Sequence, residues 1–372
     1  MTFTLTVDTA RFRNHVRDVI ARNEQAGASV LPVIKGNGYG FTRDALAKEA
    51  SEIGLAQICV GTIWEASDAL THFTGKVVVL EPFNTYDVSA AVKWKELLAD
   101  FSERLVMLIG NPDVTAARES GVQHVWIEGA TSMHRFGLAP HQIASVIKAL
   151  GSEIAIAGFS VHLPIAQPTV SSVLGFEAHT PANASAKVQE TLGWISWLKE
   201  IVADLDIPLS LNVSHLSVSE IAQIKASQPQ VELQIRLGTS LWLGDSKALS
   251  ATGTVLAIGQ LKDHERAGYQ QKSGGQQVVV VSGGTAHGVA VSAPITTSSL
   301  RKRGIAVAEG LAQAVGKVRS PFLSGGTNLQ FVEPPHMQVS LLWCDDKNLK
   351  VGDQLSCTVR NTTAHFDVIE WK

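Results

Sequence analysis

Short, continuous apolar runs are separated by longer amphipathic stretches between about residues 29 and 240. The runs are rich in β-branched residues and do not alternate with polar positions, which is typical of parallel strands buried on both faces. The stretches between them, such as RDALAKEASEIG and PHQIASVIKALG, have helical spacing. In chain order the runs are SVLPVIKG, AQICVGT, KVVVLEP, RLVMLIG, HVWIEG, IAIAGFSVHL, LSLNVSHLS and LQIRLGT. Eight strand–helix units over about 210 residues predict a TIM-type (β/α)8 barrel, with a doubly wound open sheet as the alternative.

The pattern changes after about residue 246, where glycine-rich turns separate short strands. GTVLAIGQL, QQVVVVSG, HMQVSLLWC and DQLSCTVRN indicate strands, and KRGIAVAEGLAQAVG indicates one helix. We therefore predict an α/β barrel over residues 8–245 and a mostly β C-terminal domain over residues 246–372. The first strand, residues 1–7, is assigned to the C-terminal domain.

Composition narrows the class of protein. Apolar residues make up 45% of the chain and charged residues 17%, so a large core is expected and extensive disorder is not. The net charge of −3 gives no electrostatic reason to expect a nucleic-acid partner. Three scattered cysteines argue against a disulfide framework and a zinc site. No apolar run approaches the roughly 20 residues of a membrane span, so a cytoplasmic protein is expected.

Polar residues end several of the predicted strands. In a TIM-type barrel the reactive residues lie at the C-terminal ends of the strands. Those ends carry Lys35, Thr62, Glu128, His162, His215 and Arg236. Lys35 and Arg236 end the first and last strands, which are neighbours in a closed barrel. An amine near a guanidinium has a lowered pKa and is a better nucleophile, although position alone also allows a lysine that simply reaches solvent.

The sequence around Lys35, VIKGNGYG, resembles the lysine motif of alanine racemases, Val-Lys-Ala-Asn-Ala-Tyr-Gly-His, which carries pyridoxal 5′-phosphate as a Schiff base. Matching residues are Lys35, Asn37, Tyr39 and Gly40, whereas Gly36, Gly38 and Phe41 differ. Further segments resemble family motifs in the same order, namely TSMHRFGL, GFSVHL, RLGTSLWLG, AGYQ, HMQVS and VGDQL. The resemblance covers nearly the whole chain.

The resemblance implies a cofactor site in the barrel. It puts Tyr39 at the cofactor, Arg135 near the cofactor's phenolic oxygen, His162 against the pyridine ring and Arg236 at the pyridine nitrogen. The phosphate would contact the Gly238 and Thr239 amides and either Ser214 or His215, because the register of NVSHLS is ambiguous. Arg135 and Met337 would bind the substrate.

The implied reaction is removal and return of the Cα proton of an amino acid held as an external aldimine. An arginine has a pKa above about 12 and does not readily donate its proton to the pyridine nitrogen, which disfavours transamination. Lys35 and Tyr269 on opposite faces would then racemise alanine or a similar small amino acid. In the family this tyrosine comes from a second subunit, so the resemblance implies a homodimer with composite sites.

Several positions depart from the family pattern. Glu128 stands where the family often has a carbamylated lysine, and its carboxylate is expected to hold Arg135. GGTAHG replaces the entrance segment Gly-Tyr-Ala-Asp-Gly, Phe366 replaces a tyrosine, and His336-Met337-Gln338 replaces Cys-Met-Asp. These changes bear on alanine specificity more than on cofactor binding.

Other functions stay open alongside racemisation. The chain could be a divergent paralogue that binds the cofactor but acts on another substrate, or a non-catalytic cofactor carrier. The single-barrel carrier proteins lack the domain that contains Tyr269. Related decarboxylases have a Cys-x-x-x-Asp motif, to which WCDDKN is a poor match.

Overall fold

The computed structural model describes residues 2–168, 183–262, 264–272, 277–291 and 318–372. The chain divides into two compact units, one of residues 14–244 and one that joins the N-terminal residues up to Arg13 to Asp245–Lys372. The chain begins with β1 (Phe3–Val7) and α1 (Thr9–Gln25), and the division falls inside α1. The helix expected for KRGIAVAEGLAQAVG lies outside the described residues. Across the described ranges, every helix is too short or too polar to cross a membrane.

Eight parallel strands form the sheet of the first unit, in the order β2-β9-β8-β7-β6-β5-β4-β3. The strands are β2 (Ala28–Pro32), β3 (Gln57–Val60), β4 (Lys76–Val79), β5 (Leu105–Ile109), β6 (His124–Gly129), β7 (Ala155–Val161), β8 (Ser210–Ser214) and β9 (Glu232–Leu237). The sheet nearly closes through a parallel bridge between Val33 and Cys59, beside which the Ile34 N–H donates to the Cys59 carbonyl over 2.9 Å. The predicted TIM-type barrel is confirmed.

Helices follow the strands in turn. They are α2 (Arg43–Glu52), α3 (Ile63–His72), α4 (Val88–Phe101), α5 (Thr115–Glu119), α6 (Pro140–Leu150), α7 (Ala186–Val202), α8 (Val218–Ser227) and the short α9 (Thr239–Trp242). Local sequence signals begin several of them. Ser217 accepts the Glu220 N–H while the Glu220 carboxylate accepts the Ser217 N–H, which caps α8 reciprocally.

The barrel interior has an apolar part and a polar part. Buried apolar side chains contributed by β2 to β6 pack together, namely Leu31, Val33, Cys59, Val78, Val106, Leu108 and Trp126. Glu128 lies on the Trp126 face of β6 because alternate residues of a strand share a face. Register then aligns Glu128, Ser160, Asn212 and Gln234 across β6 to β9. Each of these four side chains has a buried oxygen without a hydrogen-bond partner in the described structure, so we expect ordered water inside this part of the barrel.

The second unit is a mostly antiparallel sheet. Its strands after the barrel are β10 (Leu249–Gln260), β11 (Gln277–Ser282), β12 (Arg319–Ser324), β13 (Thr327–Phe331), β14 (Val339–Trp343), β15 (Gln354–Cys357) and β16 (Val368–Trp371). The order β11-β14-β13-β12-β15-β10 closes on itself because β10 also pairs with β11. β1 pairs antiparallel with β10 and parallel with β16, so this N-terminal strand belongs to the C-terminal sheet.

Candidate functional site

Lys35 lies just after β2, at the C-terminal end of the barrel strands. Although much of its side chain is accessible, partial burial lowers the pKa of the Lys35 amine, and the charges of Arg135 and Arg236 lower it further. Glu65 opposes this shift. The amine is therefore more easily deprotonated than an ordinary lysine, as a nucleophile or base requires.

The turn that carries Lys35 is fixed by residues of α2 and α3 that were not predicted as site residues. One carboxylate oxygen of Glu65 accepts the Gly36 N–H at 2.8 Å and the other accepts the Gly61 N–H at 2.6 Å. Arg43 donates to the Gly36 carbonyl and pairs with Asp68, three residues after Glu65 on α3. Both backbone polar groups of Gly36 are thus held from outside the turn. A carboxylate in the first turn of a helix that follows a strand was the available sequence signal.

The backbone conformation of VIKGNGYG explains why it contains glycine. Gly38 has a φ of +63°, and a Cβ there would lie 2.5 Å from the backbone nitrogen of Arg43. Tyr39 also has a left-handed φ, of 55°. Its buried hydroxyl lies against Gly238, where a Cβ would be 2.0 Å from the Tyr39 oxygen. Burial raises the pKa of Tyr39 to about 12, and the negative charge of Glu65 adds to this shift. Tyr39 is therefore a neutral hydrogen-bonding group.

Arg236 and His162 lie together at the end of the barrel. The Arg236 Nη2 donates to the Val161 carbonyl at 2.9 Å and approaches the His162 Nδ1 at 3.2 Å. Because a guanidinium only donates, this contact assigns the ring proton of His162 to Nε2. Burial and the neighbouring charges of Arg236 and Arg135 lower the pKa of His162 to about 2, so its imidazole is neutral. The Arg236 Nε is a buried donor without a partner among the described residues.

Glu128 does not make the contact expected from the sequence. It is buried, and within the described ranges no ion pair joins it to Arg135. Arg135 is exposed, with its guanidinium 5.0 Å from the centre of the Phe136 ring. Burial raises the pKa of Glu128, and among the charges that oppose this rise Arg236 acts more strongly than Arg135. The charge of Arg135 nevertheless acts on Lys35, Glu128 and His162, so its guanidinium lies near the end of the barrel without pairing with Glu128.

Two buried charges on α7 hold other loops at the same end of the barrel. The Glu190 carboxylate accepts the N–H and the hydroxyl of Ser132, both at 2.6 Å. The Lys187 amine donates to the carbonyls of Ile165 at 2.7 Å and His215 at 3.0 Å. Sequence reasoning missed Lys187 and Glu190 because charged residues on a helix usually face solvent.

The residues expected at the phosphate lie at the ends of β8 and β9. The buried Ser214 hydroxyl accepts the Leu163 N–H at 3.1 Å. His215 follows it in a left-handed conformation, φ 60°, with its ring edge-on to His162 at 5.3 Å. Gly238 and Thr239 begin α9. These residues lie around the Arg236 end of the barrel, and either Ser214 or His215 can supply a donor there.

Tyr269 and Met337 belong to the C-terminal unit, where their side chains are 87% and 64% exposed. The Tyr269 ring stacks on His336, with ring centres 4.9 Å apart and planes inclined by 30°. The buried carboxylate of Glu333 lies 2.8 Å from the His336 Nε2. It also accepts the N–H groups of Tyr269 and Gln270, each at 3.1 Å.

The fold and this site define a class of protein, a TIM-type barrel with an activated lysine beside an arginine and a neutral histidine. Residues 7–245 match the family described as alanine racemase, N-terminal domain, and the chain belongs to this family. The resemblance seen in the sequence is confirmed. Among curated protein sequences, none matches the chain.

Solved alanine racemases share the fold over almost the whole chain. The enzyme from E. faecalis is 17% identical, with a TM-score of 0.65 over 100% of this chain and 98% of that one. Alanine racemase of Clostridium difficile 630 is 14% identical, with a TM-score of 0.66 over 96% and 86%. The Bartonella henselae enzyme, solved with covalently bound pyridoxal phosphate, is 16% identical, with a TM-score of 0.61 over 96% and 90%. Identities this low establish the fold alone.

Proposed function

We propose that the protein is a pyridoxal 5′-phosphate-dependent amino-acid racemase that acts on alanine or a similar small amino acid. The observation that supports this most directly is Lys35, whose pKa is lowered by partial burial and by Arg135 and Arg236. A lysine amine with a lowered pKa can attack an aldehyde and can later exchange a proton with a substrate.

The donors around Lys35 fit the cofactor. The unpartnered Arg236 Nε offers a hydrogen bond to a ring nitrogen, and the neutral His162 offers an uncharged flat ring beside it. The Gly238 and Thr239 amides and the side chain of Ser214 or His215 would hold the phosphate. When bound, pyridoxal 5′-phosphate acts as an electron sink that acidifies the substrate Cα–H.

The side chains of this chain would then move the proton. In one direction the neutral Lys35 amine takes the Cα proton from one face of the substrate, and the Tyr269 hydroxyl donates a proton to the opposite face. In the reverse direction the Tyr269 phenolate takes the proton and the Lys35 ammonium donates one. Burial lowers the pKa of Arg236 while Glu128 raises it, but a guanidinium starts above about 12 and stays charged near neutral pH. Arg236 therefore acts as a hydrogen-bond donor that keeps its proton.

We further propose that Tyr269 completes the site of a second copy of the chain. Its 87% exposure, together with that of Met337, leaves both side chains accessible for a neighbouring subunit. In a two-fold dimer the same surfaces contact each other twice, so two equivalent composite sites would form.

Subunit mixing tests this assembly. Lys35→Ala and Tyr269→Phe homodimers are each expected to be severely impaired. A mixed dimer has one doubly mutated site and one intact site, so random re-association should restore about a quarter of wild-type activity. If re-association is shown by mass and no activity returns, Tyr269 does not act across a dimer interface.

Hydrogen exchange tests the reaction without assuming a substrate. The full-length protein, loaded with pyridoxal 5′-phosphate, is incubated with individual amino acids in D2O, and loss of the Cα–H signal is followed together with optical rotation. We expect exchange and racemisation of at least one small amino acid, and neither with Lys35→Ala. Exchange without racemisation would indicate a different reaction. No exchange from protein that binds the cofactor covalently would favour the carrier function.

A further inference from the structure

The turn that carries Tyr269 is closed by its own backbone. Ala267 and Lys272 exchange two backbone hydrogen bonds, of 2.9 and 2.8 Å. Gly268 has a φ of +76°, and a Cβ there would lie 2.7 Å from the carboxyl carbon of Glu333. The backbone of the turn therefore lies directly against Glu333, and glycine is needed at this approach.

Glu333 connects this turn to His336. It follows β13 and is buried, and its two oxygens accept the N–H groups of Tyr269 and Gln270. Burial alone would raise the pKa of Glu333, but the hydrogen bonds from Gln270, His336 and Tyr269 outweigh it and lower the pKa. The carboxylate is thus ionised near neutral pH and is an acceptor for all three neighbours.

His336 is held both at its ring and at its backbone. Its Nε2 lies 2.8 Å from Glu333 and must carry a proton to donate there. Its backbone N–H donates to the Val339 carbonyl at 2.9 Å, and its carbonyl accepts the Thr285 N–H at 2.8 Å. A ring held this way presents a fixed face, on which the Tyr269 ring stacks.

We propose that Glu333 and His336 are positioning residues for Tyr269, with Glu333 holding its backbone and His336 holding its ring. His336 stands at the position aligned with a cysteine in the family pattern, so this arrangement is a feature of this chain. The Tyr269 side chain is otherwise highly exposed. Stacking on His336 restricts its rotamers while burying little of its surface. The role in catalysis rests on the proposed racemase function, whereas the positioning itself does not.

The chain has three tyrosines, which makes a direct readout possible. With 3-fluorotyrosine incorporated, the fluorine NMR spectrum of the full-length protein should show three signals, and the Tyr269 signal is the one missing from Tyr269→Phe. We expect His336→Ala to shift and broaden that signal because the ring loses its stacking partner. His336→Phe retains a stacking ring and should move it less. His72 offers a matched control, because it is also a histidine near a carboxylate: its Nε2 lies 3.8 Å from the Asp44 Oδ2 in the barrel unit. His72→Ala should leave the Tyr269 signal unchanged.

Kinetics give the second readout. His336→Ala should lower kcat about three- to tenfold with little change in KM, as expected for losing one aromatic pair that orients a base. Glu333→Gln should act in the same direction, and the double variant should lose less than the product of the two single effects because both act through Tyr269.

The two readouts separate two failures. An unchanged Tyr269 signal in folded His336→Ala protein would overturn the positioning role. A shifted signal in a protein that racemises no amino acid would keep the positioning role and reject the racemase function. A shifted signal with unchanged kcat in an active enzyme would overturn the link between positioning and catalysis.

Discussion

Two loops at the C-terminal end of the barrel carry cations of the candidate site, and the structure holds them differently. In the turn after β2, Gly36 is bound on its N–H by Glu65 and on its carbonyl by Arg43. In the loop after β6, Glu190 binds Ser132, but the Arg135 side chain is exposed over Phe136. The position of the Lys35 backbone is therefore set before any ligand arrives, whereas Arg135 can change its rotamer to meet one. Fixing in advance the backbone that carries the proposed reacting group lowers the ordering cost during the proposed reaction.

Removing the amine from the fixed turn should have the largest effect. Lys35→Ala should abolish covalent attachment of the cofactor and lower racemisation by at least about a thousandfold, because a general base and the attachment point are lost together. Borohydride reduction followed by peptide mass spectrometry locates the attachment. Lys48→Ala, which removes an exposed lysine from α2, should behave as wild type. A reduced adduct on another lysine of Lys35→Ala would refute the assignment.

The glycines of the same turn come next. Gly38→Ala should destabilise the protein by about 2–5 kcal/mol, because alanine at a φ of +63° is strained and its Cβ would approach the Arg43 backbone nitrogen. Gly36 has a similar φ of +67° but open space around it, so Gly36→Ala should cost about 1–2 kcal/mol. Denaturant unfolding measures both. Equal losses would mean that the close approach at Gly38 relaxes freely.

Sequence predicted the strands of the barrel better than the contacts that hold its loops. All eight runs became parallel strands because burial on both faces leaves a continuous apolar pattern. In the C-terminal unit, β12, β13 and β16 were not predicted. β12 contains Pro321, and all three strands have short, half-buried patterns. Glu65 and Glu190 were also missed, because a carboxylate that accepts backbone N–H groups looks in sequence like one that faces solvent.

Substituting the carboxylates compares the two loops directly. Glu65→Gln and Glu190→Gln should each cost about 1.5–3 kcal/mol, since each carboxylate makes two charge-assisted hydrogen bonds. Of these two variants, only Glu65→Gln should change the pKa of Lys35. Glu65 raises the pKa of Lys35 against the effects of burial and the two arginines, so removing its charge should lower that pKa further. The pH midpoint of covalent cofactor capture should then move down in Glu65→Gln and stay unchanged in Glu190→Gln, and an upward movement would contradict the electrostatic role of Glu65.

Glu128→Gln should have the smallest effect and tests whether Arg135 depends on a carboxylate. Burial raises the pKa of Glu128 despite Arg236 and Arg135, so the folded protein binds this proton more tightly than the unfolded chain does. The contribution of protonated Glu128 to wild-type stability is then lost as pH rises from about 4.3, the pKa of a glutamate in the unfolded chain, through the folded pKa. Glutamine cannot ionise, so the melting temperature of Glu128→Gln relative to wild type should increase from acidic to neutral pH.

Because no ion pair joins Glu128 to Arg135 in the described ranges, racemisation should fall by less than about tenfold. A loss as severe as that of Lys35→Ala, with the variant still folded, would show that Glu128 holds Arg135 when substrate is bound and that the exposed loop is only one of its conformations.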